Sequence, residues 1–495
     1  MGSIRRRDGA TVAAAAAIVL CSALLTGGGA SAAGLPVAGA RPAVSGGTWG
    51  KAKEVPGTGA LNTGGTAGIY SVSCASAGNC SAGGTYTGRS GTAAFVVSEV
   101  NGTWRNAEQV SGTPGLKAGG DTAITSVSCA SAGNCSAGGF YKDASDHDQA
   151  FVVSEVKGRW GKAQEVPGTA ALNAGGYAGI TSVSCAAAGG CGAGGYYTDR
   201  SGHQQAFVVS TEKGRWGKAQ EVPGTAALNK DGQAGIKSVS CGPAGSCGAG
   251  GYYTDSSDHD QVFVVSQVKG RWGTAQEIPG TAALSKGGEA WLYSVSCAAA
   301  GDCGAGGYYL TTDASDPQHA FIVSEVKGRW GKAEEVPGTA GLNKDGHAWI
   351  GSVSCASAGS CSAGGYYDDG FGDQQAFVVS EVKGRWSKAE EVPGTASLNK
   401  GGDAGVSSVS CARAGSCSAA GSYRDASGHF QAFVVSEVKG RWAKAEEVPG
   451  TKALNKDGEA GITSVSCAPA GSCSAGGYYD DSSGDQQAFV ASQLR

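Results

Sequence analysis

The chain has 495 residues, with 38 basic against 42 acidic and a formal net charge of −4, a balance that argues against general nucleic-acid binding. Glycine is abundant at 86 and proline scarce at 13. Because valine, tyrosine and tryptophan recur at fixed places, that glycine marks tight turns and close packing rather than a disordered linker.

The first element is an address. Arg5, Arg6 and Arg7 precede an apolar run from about Thr11 to Leu25, and Ala30-Ser31-Ala32 is a small-x-small cleavage signal. Residues 1–32 therefore read as a secretory signal peptide and 33–46 as a flexible N-terminal segment. No later apolar run is long enough to cross a bilayer, so the expected product is soluble, secreted and extracellular.

Residues 47–495 are repetitive. Nearly the same words as SVSCASAGNCSAGG at 71–84 return seven more times. The seventeen cysteines are Cys21 in the leader and eight C-x5-C pairs: Cys74/Cys80, Cys129/Cys135, Cys185/Cys191, Cys241/Cys247, Cys297/Cys303, Cys355/Cys361, Cys411/Cys417 and Cys467/Cys473. An even count at fixed spacing in an exported chain reads as disulfides. A metal clamp would need four converging ligands, and one pair supplies two. A redox pair would want a shorter C-x-x-C.

One repeat of about 56 residues can be followed from 179 to 235. GITSVSCA is a short strand, AAGG a stapled turn and CGAGGYY a second strand. TDRSGHQQ is a polar loop, AFVVSTE a third strand, Lys213-Gly214 a two-residue turn and RWGKAQEV a fourth strand. PGTAALNKDGQAG is a longer loop into the next unit. In the first repeat the third turn is Asn101-Gly102, a strong hairpin signal. No segment sustains a 3.6-residue period. Repeated four-stranded meanders predict an all-β fold, an eight-bladed β-propeller. The repeats start with a lone fourth strand at 48–57 and end with a lone third strand at 487–495. The N-terminal strand is expected to complete the last blade and so remove its open edge.

SVSCxxAGxCxAGGYY followed by QAFVVSEVKGRW resembles the cysteine-bearing repeats of secreted actinobacterial proteins with propeller folds, over residues 48–495. Gln318-His319-Ala320-Phe321 is similar to the extracellular HAF repeats. Ser154, Gly158 and Trp160 are more distantly similar to the sialidase Asp-box, although its aspartate is missing and the spacing to tryptophan is one residue short. These resemblances imply the fold and export, and bring no defined activity.

If the fourth strand is outermost, the SVSC strand lines a central channel, and the loops after strands two and four share one end, the top. The bottom would carry the basic hairpins Lys157/Arg159, Lys213/Arg215, Lys269/Arg271, Lys327/Arg329, Lys383/Arg385 and Lys439/Arg441. They read as solvated tips, with polyanion binding as the functional alternative. The top loops carry acid and amide groups: Asp199 and Gln205, Asp255 and Gln261, Asp368 and Gln375, Asp480 and Gln487. Such loops suit sugars. Calcium would also be at home there, although no D-x-D-x-D-G pattern is present and no cofactor is otherwise implied.

Asymmetry points to a site. Six residues before the first cysteine the repeats hold Gly68, Ala123, Gly179, Gly235, Trp291, Trp349, Gly405 and Gly461. The two tryptophans break the pattern in adjacent blades at the top mouth of the channel. The candidate ligand-binding set is Trp291, Trp349, Tyr308, Tyr309, Asp313, His319, His347, Tyr366, Tyr367, Asp368 and Asp369. The alternative is that the tryptophans plug the channel. The expected function is recognition of an extracellular glycan or protein through the top face by a monomer. No catalytic residue is singled out because no convergent constellation is seen, so the chain is expected not to be an enzyme. The alternative function is a secreted glycan-active hydrolase or lyase at the channel mouth.

Overall fold

A computed structural model of the protein describes residues 47–112, 118–187, 190–230, 232–242, 246–268, 270–286, 288–311 and 317–494. The leader and the 33–46 segment, Asp313 and Lys269 lie outside the described residues.

Eight antiparallel sheets succeed one another along the chain. Blade three is representative: strands Ala178–Ala187, Gly190–Thr198 and Gln204–Glu212, then two short outer segments, Arg215–Trp216 and Gln220–Glu221. The expected fourth strand is thus split. Its middle leaves the ladder because the Ala219 N–H donates to the Pro167 carbonyl of the preceding blade at 2.7 Å. The longer loop also holds one helical turn, Thr169–Leu172, too short to leave a periodic trace. The hairpin before the outer segments has two positive-φ residues, Lys213 at 51° and Gly214 at 77°, as a type I′ turn requires.

All eight expected disulfides are present, each joining directly opposed residues of strands one and two, with Cα–Cα distances of 3.9–4.0 Å. The second cysteine of every pair is buried: Cys80, Cys135, Cys191, Cys247, Cys303, Cys361, Cys417 and Cys473. Cys247, Cys303 and Cys473 belong to the apolar cores between blades, packed among residues such as Val239, Val295 and Val465 respectively. These three sulfurs are therefore out of a ligand's reach. The bridges are structural members of the core, because the strand-two side chain at this register points into the neighbouring blade.

The ring closes as the termini predict. Lys53 and Glu54 pair with Val490 and Phe489, and Trp49 bridges to Gln493. Along the inner strands, neighbouring blades are joined by bonds from backbone to side chain. Ser182 Oγ accepts from Val239 N–H and Ser184 Oγ from Cys241 N–H, at 2.9 and 2.8 Å. The same pair of bonds recurs at every junction, including Ser464 to Val72 and Ser466 to Cys74 where the last blade meets the first. The serines of SVSC are therefore the inner fastening of the ring.

Apolar cores lie between neighbouring blades. Val152 and Val166 of blade two pack with Ile180, Val183, Phe207 and Val209 of blade three. One phenylalanine per blade, from Phe95 to Phe489, is wholly buried, and each such side chain contributes about 1.5–3 kcal/mol. The paired glycines of AGGYY permit this approach. A Cβ on Gly194 would fall 2.7 Å from Ile236 Cγ2 of the next blade, and one on Gly195 would collide with the Gly179 carbonyl. Among the described residues no helix is long and apolar enough to cross a membrane.

Candidate functional site

Each inner strand carries a β-bulge, so that one extra residue is inserted where the strand turns along the channel. Bulges re-aim side chains. The inserted residues are Tyr70, Thr125, Thr181, Lys237, Tyr293, Gly351, Ser407 and Thr463. The threonines use this position for packing: Thr181 Oγ1, for example, donates to the Ile236 carbonyl of the next blade. Lys237 and Tyr293 instead join the tryptophans.

The tryptophans sit at the start of the inner strands of blades five and six, opposite Tyr308 and Tyr366 respectively. The loops after strands two and four do meet at this end: Gln204 N–H bonds the Gly232 carbonyl at 2.8 Å, and Gln374 N–H the Gly402 carbonyl at 2.9 Å. Trp291 stacks on Tyr252 of blade four, with ring centroids 5.0 Å apart and planes at 29°. Trp349 has three ring neighbours: Tyr293 at 4.8 Å, Tyr366 at 5.0 Å and Tyr308 at 6.4 Å. Tyr293 and Tyr308 stack at 5.9 Å. Both tryptophans are half-buried. The Lys237 ammonium lies 5.1 Å from the Tyr252 centroid and 5.6 Å from that of Trp291. In blades with glycine at the tryptophan position, the equivalent tyrosine lies close over that glycine: a Cβ on Gly179 would meet the Tyr196 ring at 3.4 Å.

The rest of the expected set is dispersed. Tyr309 and Tyr367 are buried in the blade cores, 5% and 4% exposed. They belong to a series of tyrosines whose hydroxyl donates to a glutamate of the outer segment, as Tyr197 does to Glu221 at 2.9 Å. His319 stacks on Tyr309 at 5.1 Å and lies 3.9 Å from Glu335, so it faces the blade body. Asp369 braces its own loop: Oδ1 accepts from Phe371 and Asp373 N–H, and Oδ2 from Gln375. Gln375 in turn accepts from Asn399. The same Asp–Gln–Asn chain runs through Asp199, Gln205 and Asn229 and through Asp481, Gln487 and Asn62. The acid partners of Gln375 and Gln487 are therefore Asp369 and Asp481, not Asp368 and Asp480, and Gln261 donates to the Gly288 carbonyl instead of Asp255. Burial pushes Asp199 and Asp481 up, but hydrogen bonds outweigh it and hold both below the usual carboxylate range, Asp199 through Gln205, His203 and Ser201 and Asp481 through Gln487, Ser483 and Asp485. Their oxygens are committed to loop geometry.

Asp368 and His347 remain near the aromatic sector. His347 is exposed, and its carbonyl accepts from the Asp368 N–H at 2.8 Å. Burial pushes the Asp368 carboxyl up to about 6, opposed by His347 and reinforced by Asp345, Asp369 and Asp403. Such a group gains or loses a proton in mildly acid solution, a property concentrated at functional sites. Phe371, in the loop after strand two of the same blade, is 92% exposed. The basic hairpin tips at Lys157, Lys213, Lys327, Lys383 and Lys439 are exposed.

Sequence reading missed Tyr252, Tyr293 and Lys237. Two of them occupy the position four residues before the first cysteine, where aligned repeats show an aromatic and a cation among small residues. It also missed the glutamates of SEVKGRW, which lie between blades: Glu155 is 3% exposed and accepts from Ser98 and Ser81 of the preceding blade.

No protein-family model matches the chain, and no curated protein matches its sequence. Among solved structures it is similar to Sqt1 from Chaetomium thermophilum bound to the N-terminus of a ribosomal protein, with TM-score 0.47, 10% identity, and coverage of 88% of this chain and 98% of that one. It is similar to an ulvan lyase, a polysaccharide lyase, at TM-score 0.41 and 11% identity, covering 82% and 95%. It is also similar to the Trypanosoma rangeli sialidase in complex with the inhibitor DANA, at TM-score 0.33 and 10% identity, covering 68% and 56%. These likenesses show the fold alone. The expectation that the chain is not an enzyme is corrected: the solved structures it is similar to include a polysaccharide lyase and a sialidase, so catalysis is not set aside.

Proposed function

We propose that the protein is exported and, as a monomer, binds an extracellular glycan at the top end of its channel, in the sector of blades four to six. The observation that carries this reading is the aromatic run Tyr252, Trp291, Tyr293, Tyr308, Trp349 and Tyr366. Trp291, Tyr293 and Trp349 break the eightfold repeat in two adjacent blades, against the repeat tyrosines of blades four to six, and both indoles are half exposed. Half-buried aromatic faces beside polar groups suit sugar rings, whose C–H faces are apolar and whose rims bear hydroxyls. In this reading Trp349 and Trp291 stack on the ligand, while His347 and Asp368 orient its hydroxyls. The eight disulfides fit an oxidising compartment, and the secretory leader supports export.

The test is a glycan array probed with the mature chain, followed by assay of the bound sugars for new reducing ends and unsaturated products. The assay separates a binding protein from a hydrolase or a lyase. Replacing Trp291 and Trp349 together with glycine should weaken binding of the array hit by roughly 2 kcal/mol or more. Unchanged binding by a folded double variant would place the site elsewhere.

A further inference from the structure

We infer that the glycan held by this sector is acidic, and that Lys237 receives a carboxylate of one of its sugar units. This rests on the reading above and adds the class of ligand. Lys237 is the bulged residue of blade four. The other seven bulge positions hold tyrosine, threonine, serine or glycine, so this ammonium is the single formal charge that the series contributes.

The ammonium is not employed in holding the fold. It is half-buried, yet among the described residues no carboxylate oxygen lies within 4.0 Å of it. Its contacts are the rings of Tyr252 and Trp291. Asp260, the acid whose field reaches it, accepts instead from Thr254 Oγ1 at 2.8 Å. A partly desolvated ammonium without an anion is costly unless a partner arrives. A neutral sugar laid on Trp291 would strip more water from it and leave it unpaired. A sugar acid lays its ring on the indole and brings its own carboxylate to the rim, where a charge-assisted hydrogen bond forms. One cation fits a singly charged unit better than a polyphosphate, which would call for several.

The experiment uses a panel of uronic-acid polymers (galacturonan, alginate, hyaluronan), each beside its carboxyl-reduced neutral counterpart, with the mature chain and three variants. The wild type is expected to bind at least one acidic polymer about tenfold more tightly than its reduced form. Lys237→Gln should bring that ratio to about one, and Lys237→Arg should keep the preference. Trp349→Gly should weaken both members of the pair alike, which locates them at the same surface. Melting curves accompany each variant, and the acid-to-neutral ratio is read only from folded protein; Lys237→Arg supplies it if the glutamine variant does not fold. Equal binding of acidic and reduced polymers by the wild type, or a preference that survives Lys237→Gln, overturns the acidic assignment and leaves glycan binding standing. No binding to any polymer or array glycan overturns both.

Discussion

Replacing Trp349 with glycine should destabilise the propeller more than the same change at Trp291, because the two indoles have different company. Trp349 loses three ring contacts, at 4.8, 5.0 and 6.4 Å. At about 0.5–1.5 kcal/mol for each aromatic pair, the loss is about 1.5–4.5 kcal/mol. The backbone accommodates glycine, since Gly68, Gly179, Gly235, Gly405 and Gly461 occupy the equivalent position. Tyr366 can then settle over the new glycine as Tyr196 lies over Gly179, which holds the expected cost to about 2 kcal/mol, near the lower end. Trp291 loses one stacked ring, about 0.5–1.5 kcal/mol; its contact with the half-buried Lys237 ammonium is also lost, but that ammonium regains water when the indole is removed, which offsets the loss. Guanidinium unfolding with the disulfides intact measures both, provided the slope with denaturant is unchanged. If Trp349→Gly costs no more than Trp291→Gly, the indoles are not embedded in the contacts described, and the ring geometry is wrong.

Three further outcomes are expected. Ser294→Ala with Ser296→Ala removes the acceptors of the Val353 and Cys355 amides; stability should fall by about 1 kcal/mol per site, with faster hydrogen exchange confined to the blade five to six junction, and unaltered exchange would refute the fastening role. Burial raises Glu155, Glu325, Glu381 and Glu437, and Asp368 to about 6; groups protonated more readily when folded stabilise fully below their unfolded values, near pH 4, and lose that contribution as pH rises through the folded ones. Asp143, Asp199, Asp425 and Asp481 are lowered and act oppositely at lower pH, so the melting temperature should peak near pH 4–5 and decline towards neutrality; a rise from about pH 5 to 7 would contradict the burial. Deleting residues 47–56 exposes the edge of Gln486–Ser492, and aggregation should follow; a monomer with unchanged melting would show that the strand does not close the ring.

The repeat made the architecture legible. Cys185 and Cys191, one of eight pairs at a fixed interval, dictated the staple, and the lone strand at Thr48–Pro56 implied its partner at the far end. The spacing did not say where the sulfurs point: Cys247, Cys303 and Cys473 turn into the blade-to-blade core, which depends on strand register and not on the interval between cysteines. Trp291 and Trp349 were visible because tryptophan in place of glycine is a large change in volume. The division of labour between the two tyrosines of GYY was not visible. Tyr308 reaches the cluster and Tyr309 the core, and only the alternation of a strand whose ends are known separates them. Lys237 was overlooked because one cation in a strand ordinarily means a wet face; its meaning came from the bulge that turns it toward Tyr252 of its own blade and Trp291 of the next. The acidic loops misled for a different reason: an aspartate two residues before a serine or phenylalanine amide braces a turn and offers a ligand with the same letters.

Because the junction between the last and first blades uses the same seryl bonds as the other seven, the inner ring does not record where the chain starts. The fold is indifferent to permutation there, and the origin is marked only at the rim, by the borrowed strand at Lys53–Glu54. A gene that began at any other third-to-fourth-strand hairpin would encode the same circle. Every blade is then interchangeable as a fastener, and substitutions that give one sector a new surface leave the other junctions untouched. A molecule of this kind can specialise neighbouring units while every junction keeps the same fastening.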